Sequence, residues 1–297
     1  MEIKIINKLN YLDIKENKTN LVLGFFDGIH EGHMKLILEA MYGYRNVSIL
    51  TFIHSFKNND EVIMSNKQKE EIFKEIGIST IYYLDYDEYL KNMEPIDFIN
   101  LILKRINPHQ IICGSDYRFG KNALGDIYLL KKEFPSLNVV PFVYFSFNKQ
   151  MKVSSTVIKD LIKVGKIKEA NEYLYQDYEI EGEVVKGLGN GSKLLFPTIN
   201  LKLTTNYVLP KNGVYKTKVY LNDLVYDSIT NVGIHPTIDK LNEVSIETHI
   251  LNFNKDIYGK FVRIRFMDFI RDEKKFNSIE ELKKQIQLDI KKNIIKI

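Results

Sequence analysis

Two histidines three residues apart, His30 and His33, sit in the turn Gly24-Phe25-Phe26-Asp27-Gly28-Ile29-His30-Glu31-Gly32-His33. Imidazoles in such a turn can donate hydrogen bonds to phosphoryl oxygens and take up charge as it develops. Gly32 between them leaves room for a ligand to approach the backbone. The flanking sequence says what positions them. Leu21-Val22-Leu23 is an apolar run of the kind that forms a buried parallel strand. Beyond the turn, Met34, Ile37, Leu38 and Met41 recur at helical spacing. The turn therefore opens a helix, whose free N–H groups and partial positive charge suit an anion such as phosphate.

Other stretches carry similar chemistry. Ser154, Ser155 and Thr156 precede a helical pattern; they can serve as caps or bond phosphate oxygens. Gly187, Gly189 and Gly191 make a flexible flap whose amides can wrap phosphate, although such loops are often plain hairpins. Pro197 stiffens the backbone beside Thr198, whose hydroxyl suits a divalent cation carried by nucleotide phosphates, with Asn200 in support. Glu247 lies in a strand pattern, pointing away from Ile246 and Thr248, where a carboxylate can accept a proton. Taken alone, a solvent-facing strand glutamate is the simpler reading of Glu247. The strand end at Gly114–Gly120 gathers Asp116, Arg118 and two aromatics, Tyr117 and Phe119. An ordinary loop with a self-capping Asp accounts for it equally well.

The first half alternates strands and helices. Strands are expected at Val47–Phe52, Thr80–Leu84, Gln110–Cys113 and Asn138–Val140, and helices at Lys67–Ile76 and Ile96–Ile106. That order implies an α/β parallel sheet with ligands beyond the carboxyl ends of its strands. From Tyr178 the rhythm becomes two-residue alternation. Strands at Gly213–Val219, Asp227–Val232, Val244–Leu251 and Phe261–Asp268 suggest an antiparallel barrel. A final helix starts at the capping box Ser278–Glu281, with an apolar stripe of Leu282, Ile286, Ile290 and Ile294. The boundary is expected near Leu174–Asp177, giving domains 1–175 and 176–297.

The 297 residues suffice for two cores. Net charge +4, from 42 basic against 38 acidic residues, fits an anionic ligand and is too small to argue for nucleic acid. The N-terminal segment has no long apolar core and reads as no signal peptide, and no apolar run approaches the ~18 residues of a membrane span. The single cysteine, Cys113, rules out an internal disulfide and reads as a buried strand residue. A cytoplasmic protein is expected.

The turn follows the pattern GxFDGxHxGH and resembles the FAD synthetase branch of the nucleotidylyltransferase superfamily. Gly114–Gly120 and Ser154–Lys159 are similar to two further motifs of that branch, GxDFxFG and SSTxIR, in the right order. This chain departs at Phe25, where Asn is common, and at Thr51–Phe56, where only Thr51 and Phe52 keep the TFxPHP register. It departs also at Val157 and Lys159, which stand where arginines are usual; lysine keeps the charge and loses the bidentate fork. In the second half, Phe196–Asn200, Pro210–Tyr215, Asn231–Thr237, Ile246–His249, Tyr258-Gly259, Arg271 and Phe276 resemble riboflavin kinases. There Leu195 and His235 replace a usual glycine and arginine, and Asn190 and Ser192 replace basic residues in the flap.

The resemblance spans roughly Val22 to Asp289 and implies the bifunctional prokaryotic riboflavin kinase/FAD synthetase. It implies a nucleotidylyltransferase domain, Rossmann-like, followed by a kinase-like barrel. Riboflavin, FMN, FAD and ATP would be the ligands, with Mg²⁺ carried in on ATP. It implies Glu247, His30 and His33 as catalytic groups. Gly24, Phe26, Asp27, Gly28, Gly32, Ser154, Ser155, Thr156, Lys159, Gly187, Gly189, Gly191 and Asn200 would meet ATP and its phosphates. Asp116, Phe119 and Arg271 would meet flavin, and Thr198 and Asn200 the metal. Alternatives are a kinase whose first domain no longer adenylates, a non-catalytic flavin- or nucleotide-binding regulator, and an adenylyltransferase for another acceptor. Oligomeric state, including a monomer, is left open.

Overall fold

The computed structural model describes residues 1–43, 46–53, 61–85, 87–145, 148–186, 197–235 and 243–293. The chain separates into two compact units: Met1–Asp60 with Ser65–Ser154, and Glu61–Met64 with Ser155–Ile297.

The first unit is built on six parallel strands: β1 (Glu2–Ile6), β2 (Asn20–Leu23), β3 (Val47–Phe52), β4 (Thr80–Leu84), β5 (Gln110–Gly114) and β6 (Asn138–Val140), ordered β1-β4-β3-β2-β5-β6. All four residues of β2 and all five of β4 are buried, as expected of strands covered on both faces. Helices α1 (Glu31–Met41) and α2 (Asn66–Glu75) follow β2 and β3. Short helices α3 (Glu88–Lys91) and α4 (Pro95–Phe98) come next; α4 continues as a π-helical stretch, Ile99–Leu103, into α5 (Lys104–Ile106). Asn107, at φ 51°, ends that run in the left-handed conformation. Helix α6 (Ile127–Glu133) precedes β6, and a small hairpin, β7 (Tyr144–Phe145) with β8 (Asn148–Lys152), ends the unit. The chain leaves β2 toward β3 and β4 on one side and returns to β5 and β6 on the other. The switch point of the sheet therefore lies between β2 and β5. The turn Gly24–His30 leaves the sheet there.

The second unit begins with helices α7 (Ser155–Lys163) and α8 (Ile167–Asn171). Six antiparallel strands then close into a barrel: β9 (Glu179–Val185), β10 (Thr198–Leu203), β11 (Gly213–Leu221), β12 (Leu224–His235), β13 (Glu243–Ile250) and β14 (Phe261–Arg271), in the order β10-β13-β12-β11-β14-β9. Tyr215, Val219, Ile246, Ile264 and Phe266 are buried in it. Between them runs a layer of hydroxyls with no solvent exposure. Thr217 Oγ1 lies 2.7 Å from Ser228 Oγ and 2.8 Å from Thr230 Oγ1, which lies 2.8 Å from Thr248 Oγ1. Buried hydroxyls are tolerated only when paired. Thr230→Val should therefore strand its neighbours and destabilise the protein by about 1–3 kcal/mol, read as a lower urea midpoint.

Helix α9 (Ile279–Asn293) follows β14. Ser278 Oγ accepts from Glu281 N at 3.2 Å, while the Glu281 carboxylate reaches Asn277 N at 3.0 Å, one residue earlier than a reciprocal box requires. Leu282, Ile286 and Ile290 are half-buried, and Ile294 lies outside the described residues. Asp289 on this helix is buried, and its Oδ2 accepts from Arg271 Nε at 2.9 Å.

Candidate functional sites

The turn after β2 is built from strained and small residues. Phe26 is buried at φ 55°, a conformation a bulky side chain adopts only when its surroundings impose it. Its ring centroid lies 4.9 Å from His33 and, edge-on, 5.5 Å from Phe73 of α2. Gly28, at φ 63°, completes the reversal. Thr51 Oγ1 at the end of β3 donates to Phe25 O at 2.9 Å and pins the turn to the sheet.

His30 is the N-cap of α1. Its Nδ1 accepts from His33 N at 3.3 Å, and His33 Nδ1 accepts from His30 N at 3.5 Å. The capping box that Ser and Glu usually form is made here by two imidazoles. The rings stack with centroids 3.7 Å apart and planes 17° from parallel. Burial pushes the pKa of His30 down to about 4, against a smaller raising effect of its backbone bond. Burial, then the charges of His30 and Lys69, hold His33 well below its usual range. Both rings are therefore neutral at neutral pH. Because each Nδ1 accepts a backbone N–H, the remaining proton is on Nε2. The pair presents two N–H donors without net charge. A Cβ on Gly32 would lie 3.0 Å from the His30 ring and 3.6 Å from Val153 O, so the segment leading into Ser154 passes close by.

Within the same unit, Phe119 is buried, stacked on Tyr117 at 5.9 Å between ring centroids and tilted against Phe98 at 5.4 Å. It lines a cleft of about 420 Å³ together with Phe52, Leu84 and Arg118, at strand ends β3 and β4 and the loop after β5. Asp116 is ion-paired with Lys152 of β8. Ser154 belongs to the first unit, whereas Ser155, Thr156 and Lys159 belong to the second, in α7. Lys159 Nζ donates to Glu61 O at 2.6 Å.

In the barrel, three strands bring three polar residues into one row. Asn200 of β10 is the register partner of Glu247 of β13, which pairs on its other side with Asn231 of β12. Thr198 pairs likewise with His249, whose Nδ1 donates to Pro197 O at 3.0 Å. Strand alternation puts Thr198, Asn200, Glu247 and His249 on one face, opposite the buried Ile246, Thr248 and Ile250. Asn231 Nδ2 also donates to Glu273 Oε1 at 3.3 Å. Beside Thr198, a cleft of about 380 Å³ is lined by Pro197, Phe253, Lys255, Asp256 and Tyr258. A threonine hydroxyl and an asparagine carbonyl on one face are hard oxygen donors, a set that fits a Mg²⁺ completed by phosphates and water. Arg271 is held by Asp289, and its Nη1 donates to Asp272 O at 3.0 Å. Gly187, Gly189 and Gly191, with Asn190, Ser192, Leu195 and Phe196, lie outside the described residues, as do His54–Phe56 and Pro236-Thr237.

The place of Asn231 beside Glu247 and the carboxylate of Glu273 were not foreseen as parts of a site. Neither was Lys69, a buried ammonium on α2 near the histidine turn.

Comparison with known proteins accords with this geometry. The FAD synthetase family model matches residues 13–157 and the riboflavin kinase family model residues 174–295. A bifunctional riboflavin kinase/FMN adenylyltransferase of Buchnera aphidicola subsp. Acyrthosiphon pisum is 31% identical over 307 aligned residues, covering 97% of this chain and 96% of that protein. One from Listeria monocytogenes is 30% identical over 280, covering 91% and 89%. A solved structure described as a macrolide-efflux protein from Streptococcus pneumoniae matches with TM-score 0.88 at 30% identity, covering 99% of this chain and 100% of that one. The last likeness is one of whole-chain fold; among the described residues no helix is long and apolar enough to cross a membrane. With two relatives at 30% identity or above along nine-tenths of its length, the chain belongs to the bifunctional riboflavin kinase/FMN adenylyltransferase family.

Proposed function

We propose that this transferase phosphorylates riboflavin to FMN on its second half, residues 176–297, and adenylylates FMN to FAD on its first, residues 1–175. The observation that carries the reading is the coexistence of two separate constellations, the stacked His30–His33 pair at the sheet's switch point and the Asn200–Glu247–Asn231 row on the barrel.

In the kinase reaction, Glu247 takes the proton of the riboflavin ribityl hydroxyl as its oxygen attacks the γ-phosphorus of ATP, and ADP leaves. Asn200 and Asn231 flank the carboxylate and fix its direction. Thr198 and Asn200 would hold Mg²⁺, which offsets phosphate charge when bound. The nucleotide enters the cleft beside Thr198. Arg271, anchored by Asp289, faces the flavin.

In the adenylyl reaction, a phosphate oxygen of FMN attacks the α-phosphorus of a second ATP, and pyrophosphate leaves. The backbone of Gly24, Phe26, Asp27, Gly28 and Gly32 lets the nucleotide approach closely. The Nε2–H groups of His30 and His33 donate to the α-phosphoryl oxygens as negative charge builds there. Ser154 meets the departing pyrophosphate, and the flavin ring occupies the aromatic cleft at Phe119, near Asp116. The protein acts in the cytoplasm, where ATP is supplied, without nucleic acid or membrane partners, and a single copy contains both sets of reacting groups.

Isotope partition tests this. With γ-labelled ATP and riboflavin, label should enter FMN and persist in FAD; with α-labelled ATP, FAD should be the labelled flavin, FMN should stay unlabelled, and the remaining label should stay in ADP and unreacted ATP. Label from α-labelled ATP in FMN, or FAD without it, would contradict the assignment. The alternative of a silent first half is disfavoured because the histidine pair is intact and preorganised.

A further inference from the structure

Lysine is almost never buried without a counter-charge or a function. Lys69 is 4% exposed. It lies on the inward face of α2 with Gln68, Ile72 and Phe73, and Phe73 packs on Phe26 of the catalytic turn. The Lys69 ammonium lies 5.7 Å from the Phe25 ring centroid and 6.0 Å from that of Tyr83 on β4. The charged groups that act on it are Asp27 of the turn and Glu70 of its own helix, and it acts in turn on His33 of α1.

We propose that Lys69 is a further phosphate-binding residue of the first-half site, its buried ammonium offsetting nucleotide phosphate charge beside His30 and His33. The proposal rests on the adenylyl-transfer reading. The physical need is plain: the two imidazoles are uncharged, so they contribute dipoles only, whereas a nucleotide triphosphate brings several negative charges. Phe25 covers the ammonium with an aromatic face, a favourable place for a cation. Burial pushes the lysine's pKa down to about 8, with Asp27 and then Glu70 opposing that shift. It is therefore mostly charged at pH 7 and loses its proton just above.

That proton supplies the test. FAD formation from FMN and ATP–Mg²⁺ is measured in the full-length protein from pH 6.5 to 9.5, with FMN formation and melting temperature as controls. Wild-type kcat/KM for ATP in FAD formation should fall roughly tenfold per pH unit above about pH 8. Lys69→Arg, charged throughout, should abolish that fall, and Lys69→Met should lower kcat/KM roughly 10- to 100-fold at pH 7, mainly through KM. FMN formation should not change in either variant. Equal losses in the Arg and Met variants with an unshifted pH profile would overturn the proposal, as would a Met variant indistinguishable from wild type. Wild-type protein that makes FMN and no FAD would overturn the adenylyl reading, and the role of Lys69 with it.

Discussion

Glu247→Gln is expected to lower the rate of FMN formation by roughly 10²–10⁴-fold, the usual worth of a positioned general base. Glutamine is nearly isosteric and keeps hydrogen-bonding capacity toward Asn200 and Asn231, its register partners on either side. It cannot accept the proton of the attacking hydroxyl. The loss should fall on kcat, with KM for riboflavin and ATP little altered, because no binding contact has been removed. FAD formation from added FMN should continue at the wild-type rate. Normal FMN formation by the Gln variant would remove Glu247 from the mechanism.

The second large effect belongs to the histidines. His30→Ala removes one of the two proposed donors to the α-phosphate and should cost roughly 10²–10³ in FAD formation. It also removes the N-cap of α1, since His33 N donates to the His30 ring. A helix cap is worth about 1 kcal/mol, so the melting temperature should drop slightly as well. His33→Gln keeps a side-chain donor and should retain more activity than His33→Ala. All these variants should still phosphorylate riboflavin, because the row on the barrel is untouched. Parallel loss of both products would show that the two reactions do not occupy separate sites.

What the sequence revealed depended on how local the cause was. The strands Val47–Phe52, Thr80–Leu84 and Asn138–Val140 were legible to the residue, because buried parallel strands read as continuous apolar or β-branched runs. β1 was not read: it is an edge strand on which Ile3 and Ile5 are exposed, so its composition carries no burial signal. β10 is not among the expected strands: it follows Pro197 and is mostly half-buried, so it shows neither a continuous apolar run nor a clean alternation. The hairpin β7–β8 and helix α6 also lacked a clear period.

The histidine turn was legible because its parts are neighbours in sequence. The mutual capping of its two rings was not, since no propensity rule has histidine closing a capping box. Asn231 beside Glu247 depends on barrel register, which joins residues sixteen positions apart, as the numbering shows. Lys69 was missed for a different reason: a lysine in a polar helix reads as solvated, and only packing of α2 against the turn reveals it as buried.

A time course of products from purified protein with riboflavin, ATP and Mg²⁺, followed by chromatography, tests the central claim most directly. FMN should appear first and be converted to FAD, with ADP and then pyrophosphate released in step. Flavin that binds yet yields neither FMN nor FAD would contradict the account.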